Sequence, residues 1–455
     1  MVFNSLAFVV IFPLIVIVYY AIPEKIKNIF LFFVSLCFYA CFKIVYVPLL
    51  LGVISISYFS AVKMDGKTRL VKQKILLANV IIMVGMLLSF KGTNTLPLGV
   101  SFYTFAAIGY LIDVYREKIS AEKDFIAVGT FMAFFPPLLS GPIERADNLL
   151  HQIKSKKIFD EERILIGFCQ MLWGYFQKVV IADRIAVIVN AVYDNDAAFT
   201  GIYIVVATVL YAFQIYCDFA GYSNLAIGAS GILGIELRKN FNVPYKATNI
   251  SEFWDRWHIS LSTWLRDYVY ISLGGNRKGQ LKKYRNLLIT FLVSGIWHGM
   301  NWTFIVWGTL HGVYNIIHSI IVSKRNDLHK WKVLKVLGTF LLVDFAWLFF
   351  RANSLEHAFR LIKKMIFELD FLSVLKYEMA ISMGMELLDI AVLIIALVIL
   401  ILVDLTNERV RYCKKIIALP LWARWCVFYV MIFSILIFGY YGPGFNAAQF
   451  IYAQF

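Results

Sequence analysis

The chain has 455 residues, of which 60% are hydrophobic and 16% charged, and its mean hydropathy is +0.72; a soluble domain carries about 25% charged residues. This composition excludes an ordinary soluble enzyme and marks an integral membrane protein. The net charge of +15 invites a nucleic-acid reading, but Lys and Arg gather in loops that alternate with loops lacking them, the distribution of the positive-inside rule.

In chain order, apolar runs of the length that crosses a roughly 30 Å hydrocarbon core place spans near 3–22, 28–42, 44–62, 74–90, 98–115, 164–182, 201–218, 286–299, 301–322, 333–350, 386–404 and 424–441. The first run is followed by "PEKIKN" and another span instead of a small-residue cleavage site, so it reads as retained. Basic loops at 63–74, 115–123, 145–157, 236–246, 276–285, 323–335 and 407–415 read as cytosolic. No Lys or Arg occurs between Arg184 and Arg238, and the acidic "YDNDAAFTG" loop in that gap is expected outside, as is the amino terminus. The 351–376 segment breaks the alternation: it carries Arg351, Arg360, Lys363, Lys364 and Lys376 on the side expected to be external, and is amphipathic enough to lie on the membrane surface.

Two apolar segments do not fit as crossings. Residues 125–145 contain Pro136, Pro137 and Pro142 between basic flanks, the pattern of a re-entrant hairpin, and the short glycine-rich run 224–235 carries the same implication. Irregular backbone at membrane depth survives only when buried in protein or lining a wet cavity, so the chain is expected to enclose one. With no linker, repeat or low-complexity tract, residues 1–455 read as one membrane-embedded domain. The fold class is all-α and polytopic, with about eleven or twelve transmembrane helices plus re-entrant and interfacial helices.

The six cysteines form no CxxC pair and read as small packing residues; no HExxH, P-loop, G-x-S-x-G or Rossmann glycine pattern occurs. No metal site is expected. The polar and aromatic stretch 249–286 spaces Phe253, Trp254, Trp257, Leu261, Trp264, Leu265 and Tyr268 at three and four residues, with Asp255, Arg256, Ser262, Arg266 and Asp267 on other faces. This predicts one amphipathic helix in the interface with tryptophans at headgroup depth, started by Asn249 or Ser251 and ended by Gly274 and Gly275. A membrane-surface anchor explains the tryptophans but not His258 among them. His298 ends the apolar run "NLLITFLVSGI", around or beyond the bilayer midplane. There an ionisable residue is either a functional group or a core histidine bonded to a neighbouring helix. A neutral imidazole accepts a proton on one nitrogen while a partner holds the other, and no second His, Asp or Cys stands beside it at metal spacing. Asp113 and Asp218 read as border carboxylates paired with Arg or Tyr, with Arg145 a partner for Asp113.

The ordered segments "LPLGVSFYTFAAIGYLIDVYR", "LLSGPIERADNLLHQ", "FWDRWHISLSTWLRDYVYISLGGNRKG" and "VSGIWHGMNWTFIVWGTLHG", over about 96–322, resemble the membrane-bound O-acyltransferases, most of all their bacterial alginate O-acetyltransferase branch. A weaker echo is the terminal "FIYAQF". The "GGNRKG" block favours this branch over the teichoic acid D-alanyl transfer branch; Ser272, where the branch usually has proline, and Ala453, where an aromatic is common, depart from it.

The resemblance implies a helical bundle around a central tunnel in the plasma membrane of a bacterium. A cytosolic thioester, acetyl-coenzyme A, meets a hydroxyl acceptor there, and no cofactor is held permanently. It makes His298 the principal catalytic histidine and His258 the second, and places Trp257, Trp297, Arg256, Asp267, Asn276 and Arg277 in the same motifs; His311 in "WGTLHG" recurs in the family and is a candidate tunnel residue. The expected partners are membrane lipids, a polysaccharide or wall-polymer acceptor and a separate extracytoplasmic acetyltransferase or carrier, with no nucleic acid. D-alanyl transfer to teichoic acid is the alternative within the family. A small-solute transporter is the alternative of another class, against which stands the absence of paired halves with matching broken helices.

Overall fold

The computed structural model describes residues 3, 5–91, 97–324, 331–370, 383–406 and 409–441. Leu96, His329, Lys376 and the terminal "FIYAQF" lie outside the described residues. Among the described residues every regular element is helical, as the composition predicts.

All twelve expected spans carry helices: α1 (Leu6–Ala21), α2 (Glu24–Ala40), α3 (Val47–Met64), α4 (Arg69–Lys91), α5 (Val100–Tyr115), α9 (Glu161–Tyr175) continued by α10 (Asp183–Asp194), α11 (Gly201–Ile232), α14 (Gln280–His298), α15 (Trp302–Lys324), α16 (Lys332–Arg351), α18 (Leu387–Thr406) and α20 (Leu421–Phe438). Among the described residues, eight helical stretches are long and apolar enough to cross a membrane. The others fall short for visible reasons: α1 and α5 have 16 residues each, α2 opens on Glu24, Lys25 and Lys27, and α14 on Lys282, Lys283 and Arg285. Shorter helices are α6 (Phe125–Ala133), α7 (Phe135–Leu138), α8 (Ala146–Lys154), α12 (Ile250–Arg256), α13 (Ile259–Leu265), α17 (Leu355–Phe367) and α19 (Arg409–Ile417).

Two compact units divide the chain: Met1–Gly174 with Tyr222–Lys239, and Tyr175–Gly221 with Asn240–Phe445. In the first, Asp124 caps α6 by accepting from the Ile126 and Ala127 amides at 2.9 and 3.2 Å. Phe134 is extended, and α7 restarts on Pro136 and Pro137, whose missing N–H groups suit a first turn. Residues 127–146 are buried throughout, so this broken backbone is shielded by protein, as its prolines require. Residues 224–232, by contrast, simply continue α11 to a length of 32 residues, which corrects the re-entrant expectation. Their glycines serve packing: a Cβ on Gly228 would lie 2.5 Å from the Gly167 carbonyl oxygen on α9.

The second unit holds the histidines. Here α14 and α15 form a tight hairpin whose backbones touch at glycines: a Cβ on Gly295 would sit 2.4 Å from the Phe304 carbonyl oxygen, and one on Gly308 2.4 Å from that of Phe291. Small residues permit this approach in an apolar medium, where packing and not water exclusion drives helix association. The same unit explains the misplaced cations of 351–364. Arg351 pairs with Asp194 at 2.9 Å, Arg360 with Asp196 at 2.8 Å, and Lys364 donates to the Asp196 and Phe199 carbonyls. The acidic loop and the basic segment neutralise each other, so their shared side needs no excess of positive charge.

Candidate active site

The stretch 249–270 is not the single interfacial helix its spacing predicts. Asn249 does cap α12, accepting from the Glu252 amide at 2.9 Å, while the Glu252 carboxylate reaches back to the Thr248 amide at 2.8 Å. After Arg256, however, the backbone opens: Trp257 is extended and His258 is left-handed at φ 43°, ψ 51°. The 240–242 backbone ties this break, because the Asn242 amide donates to the Arg256 carbonyl and the Ile259 amide to the Asn240 carbonyl, each at 2.9 Å. The chain then resumes as α13, passes through a widened π-type turn over 266–270 and stops at Gly274 and Gly275, both at positive φ. Trp254, Trp257 and Trp264 are buried within the protein, not lined along an exposed face of one helix.

His258 therefore stands at a helix break and not on a helix. A non-glycine residue in this conformation costs roughly 1–2 kcal/mol, and what holds it is Asn240. Its Oδ1 lies 3.0 Å from His258 Nδ1, 2.8 Å from Ser260 Oγ and 3.4 Å from the Ser260 amide nitrogen. A backbone N–H only donates, so the Asn240 atom is an acceptor and His258 Nδ1 carries the ring proton. The ring sits edge-on to Phe219 at 4.6 Å and is fully buried. That burial pushes its pKa down to about 3, so imidazole and not imidazolium is present at neutral pH, with its basic lone pair on Nε2.

His298 is the last residue of α14, beside the Gly299 turn, so it lies farther along its helix than a start at Asn286 implies. It is 2% exposed. Both histidines contact Trp297, with ring centroids 5.9 Å from His258 and 4.7 Å from His298. Trp307 at 5.0 Å, Phe350 at 5.1 Å and Phe304 at 6.5 Å complete the wall round His298. One step beyond Trp307, at 5.0 Å, lies His311, whose Nδ1 is 3.3 Å from the Trp254 indole nitrogen. An imidazole surrounded by rings at these distances sits in a low-dielectric, water-poor setting, where hydrogen bonds to developing charge are strong.

The structure thus brings His258, Trp297, His298, Trp257 and His311 into one aromatic cluster. Trp257 reaches it through Trp347 at 5.0 Å, which stacks on Trp307. Arg256 borders the break, paired with Glu252 at 2.8 Å and donating to the Asn242 carbonyl. Asp267 pairs with its neighbour Arg266, while Asn276 and Arg277 are exposed past the end of the π-type turn. The sequence reading missed Asn240, hidden in a basic loop, and Trp307, Trp347 and Phe350, which look like ordinary span aromatics. It also missed the partner of Asp218, which is Lys178 at 2.6 Å, shared with Asp183 at 2.7 Å; a lone lysine in an apolar run was the available signal. Asp113 faces Lys118 at 3.8 Å. Among the described residues no three His, Cys, Asp or Glu side chains are grouped to hold a metal ion.

The model of the MBOAT, membrane-bound O-acyltransferase family matches residues 114–358. The chain is 37% identical over 372 residues to the probable alginate O-acetylase AlgI of Pseudomonas fluorescens, covering 79% of this chain and 74% of that protein. It is 35% identical over 418 residues to the peptidoglycan O-acetyltransferase of Helicobacter pylori, covering 80% and 79%. To the teichoic acid D-alanyltransferase of Streptococcus thermophilus it is 30% identical over 257 residues, covering 53% and 62%. With the family model spanning both buried histidines and bacterial relatives aligned over about four fifths of its length, the chain belongs to the membrane-bound O-acyltransferase family and is a multi-pass membrane O-acyltransferase.

Proposed function

We propose that this enzyme moves an acetyl group from acetyl-coenzyme A at the cytosolic face to a hydroxyl presented at the outer face, for O-acetylation of an extracellular polysaccharide or wall polymer. His298 is the general base, and the acetyl group reaches the acceptor directly or by way of a partner or carrier. The single observation that supports this reading best is the pair of buried imidazoles, His258 and His298, both in ring contact with Trp297. A thioester is activated enough for the transfer, but a neutral alcohol is a weak nucleophile, and a positioned base contributes about 10²–10⁴-fold. His298 removes the hydroxyl proton as the oxygen adds to the acyl carbon; the C–S bond then breaks, and the proton returns to the thiolate. The aromatic walls exclude water, which would otherwise hydrolyse the thioester.

Relatives named for O-acetyl transfer align over four fifths of the chain, the D-alanyl relative over about half, which favours acetyl over D-alanyl. In membranes containing the full chain and labelled acetyl-coenzyme A, His298→Ala should lower transfer to polymer or partner by at least about 10²-fold. Transfer at the normal rate in that variant would exclude His298 as the base.

A further inference from the structure

His311 is held in one tautomer by its indole neighbour. An indole N–H can only donate, so the 3.3 Å contact from Trp254 Nε1 makes His311 Nδ1 an acceptor, and the proton of the neutral ring lies on Nε2. His258 has the opposite tautomer. The His311 ring is 0% exposed and its Nε2 meets no acceptor among the described residues. The plane is fixed: Phe253 stacks at 6.3 Å with an interplanar angle of 7°, Phe291 at 6.2 Å with 25°. A buried N–H without an acceptor costs about 1–3 kcal/mol, and native proteins rarely retain one without a use. On the same face of α15 at four-residue spacing, Trp307 Nε1 and Thr303 Oγ1 are likewise buried and meet no partner among the described residues, and Trp307 is the ring in contact with His298.

We propose that His311 Nε2–H is a preorganised donor to the carbonyl oxygen of the acyl group being transferred, stabilising the negative charge that grows there as the alcohol adds. This rests on the acyl-transfer reading given above. The neutral acceptor it requires is what a thioester carbonyl supplies, and the fixed ring means that no reorganisation accompanies charge development. His298 moves the proton; His311 holds the oxygen and keeps its own proton throughout.

The test uses the full-length chain in detergent with two non-reactive analogues of acetyl-coenzyme A: S-acetonyl-coenzyme A, which has a ketone carbonyl, and S-propyl-coenzyme A, which has none. The wild-type protein should bind the ketone about three- to tenfold tighter, the worth of one neutral hydrogen bond. His311→Leu should abolish that preference and lower kcat about 10²-fold with KM little changed, whereas His311→Gln, whose amide N–H reaches towards the Nε2 position, should restore part of both. If the leucine variant does not fold, Trp254→Phe supplies the second measurement. It releases the tautomer while keeping a ring in place, and should reduce the preference. Equal preference for the ketone in wild type and either His311→Leu or Trp254→Phe would overturn the proposal while leaving the base assignment intact. Failure of both analogues to bind wild-type protein would overturn the coenzyme A reading, and this proposal with it.

Discussion

At the scale of single residues, the site depends on which nitrogen of each histidine holds its proton. Asn240 decides this for His258, and Trp254 decides the reverse for His311. Replacing Asn240 with leucine keeps the volume but leaves Nδ1–H without its acceptor in a dry pocket. We expect the fold to lose about 1–3 kcal/mol, read as a lower midpoint in thermal unfolding. Acetyl transfer should fall about 10²-fold as the second tautomer becomes populated; an unchanged rate would mean that His258 does not act through a fixed nitrogen. The two histidines were legible in the sequence because each is a polar group among tryptophans in a chain with little reason to bury one. Their tautomers were not, since the deciding partners lie 18 and 57 residues away along the chain.

At the scale of elements, two features place the rings. The first is the α14–α15 hairpin, which sets His298 against Trp307 through the contact of Gly295 and Gly308. A methyl group at Gly308 would meet the Phe291 carbonyl at 2.4 Å, and backbone cannot yield as a flexible side chain does. Gly308→Ala should therefore cost about 1–3 kcal/mol by overpacking and lower activity by pushing the hairpin apart, although no polar group is touched. Wild-type stability and rate in this variant would show that the close approach is dispensable. The second feature is the break at Trp257–His258. Periodicity alone cannot reveal it, because residues on either side of the break keep helical spacing; the same limit led to the run 224–235 being read as re-entrant, where a glycine-rich composition masked a continuous helix. Pro136 and Pro137, which carry their own backbone constraint, marked the interruption in 125–145 correctly.

At the scale of the whole molecule, composition and charge alternation were sufficient for an all-α membrane chain. The one exception, the 351–364 cations, is resolved by a contact that sequence separation concealed. Asp196 lies outside the spans, and its carboxyl is held below the usual range, first by the hydrogen bond from Arg360 and then by the charges of Arg360, His357 and Lys364, against the opposing effect of burial. A carboxylate whose pKa is depressed by folding stabilises above its unfolded value, near 3.9, and that contribution disappears as the pH falls through the lower folded value. Hydrogen exchange should accordingly show the 195–199 loop and α17 protected at pH 7, with protection lost below about pH 4. In Asp196→Asn, protection should be reduced already at pH 7. Protection independent of Asp196 would mean that Asp196 does not hold the basic segment.

The central claim is that one dry, histidine-bearing passage carries an acyl group from one face of the membrane to an acceptor on the other. The most direct measurement reconstitutes the full chain in sealed vesicles of known orientation, supplies labelled acetyl-coenzyme A only on the side of the basic loops, and supplies a hydroxyl acceptor only on the opposite side. Label should reach the enclosed acceptor with wild-type protein and stay at background with His298→Ala. Label that appears only when donor and acceptor share a side, or that crosses equally well without His298, would contradict it.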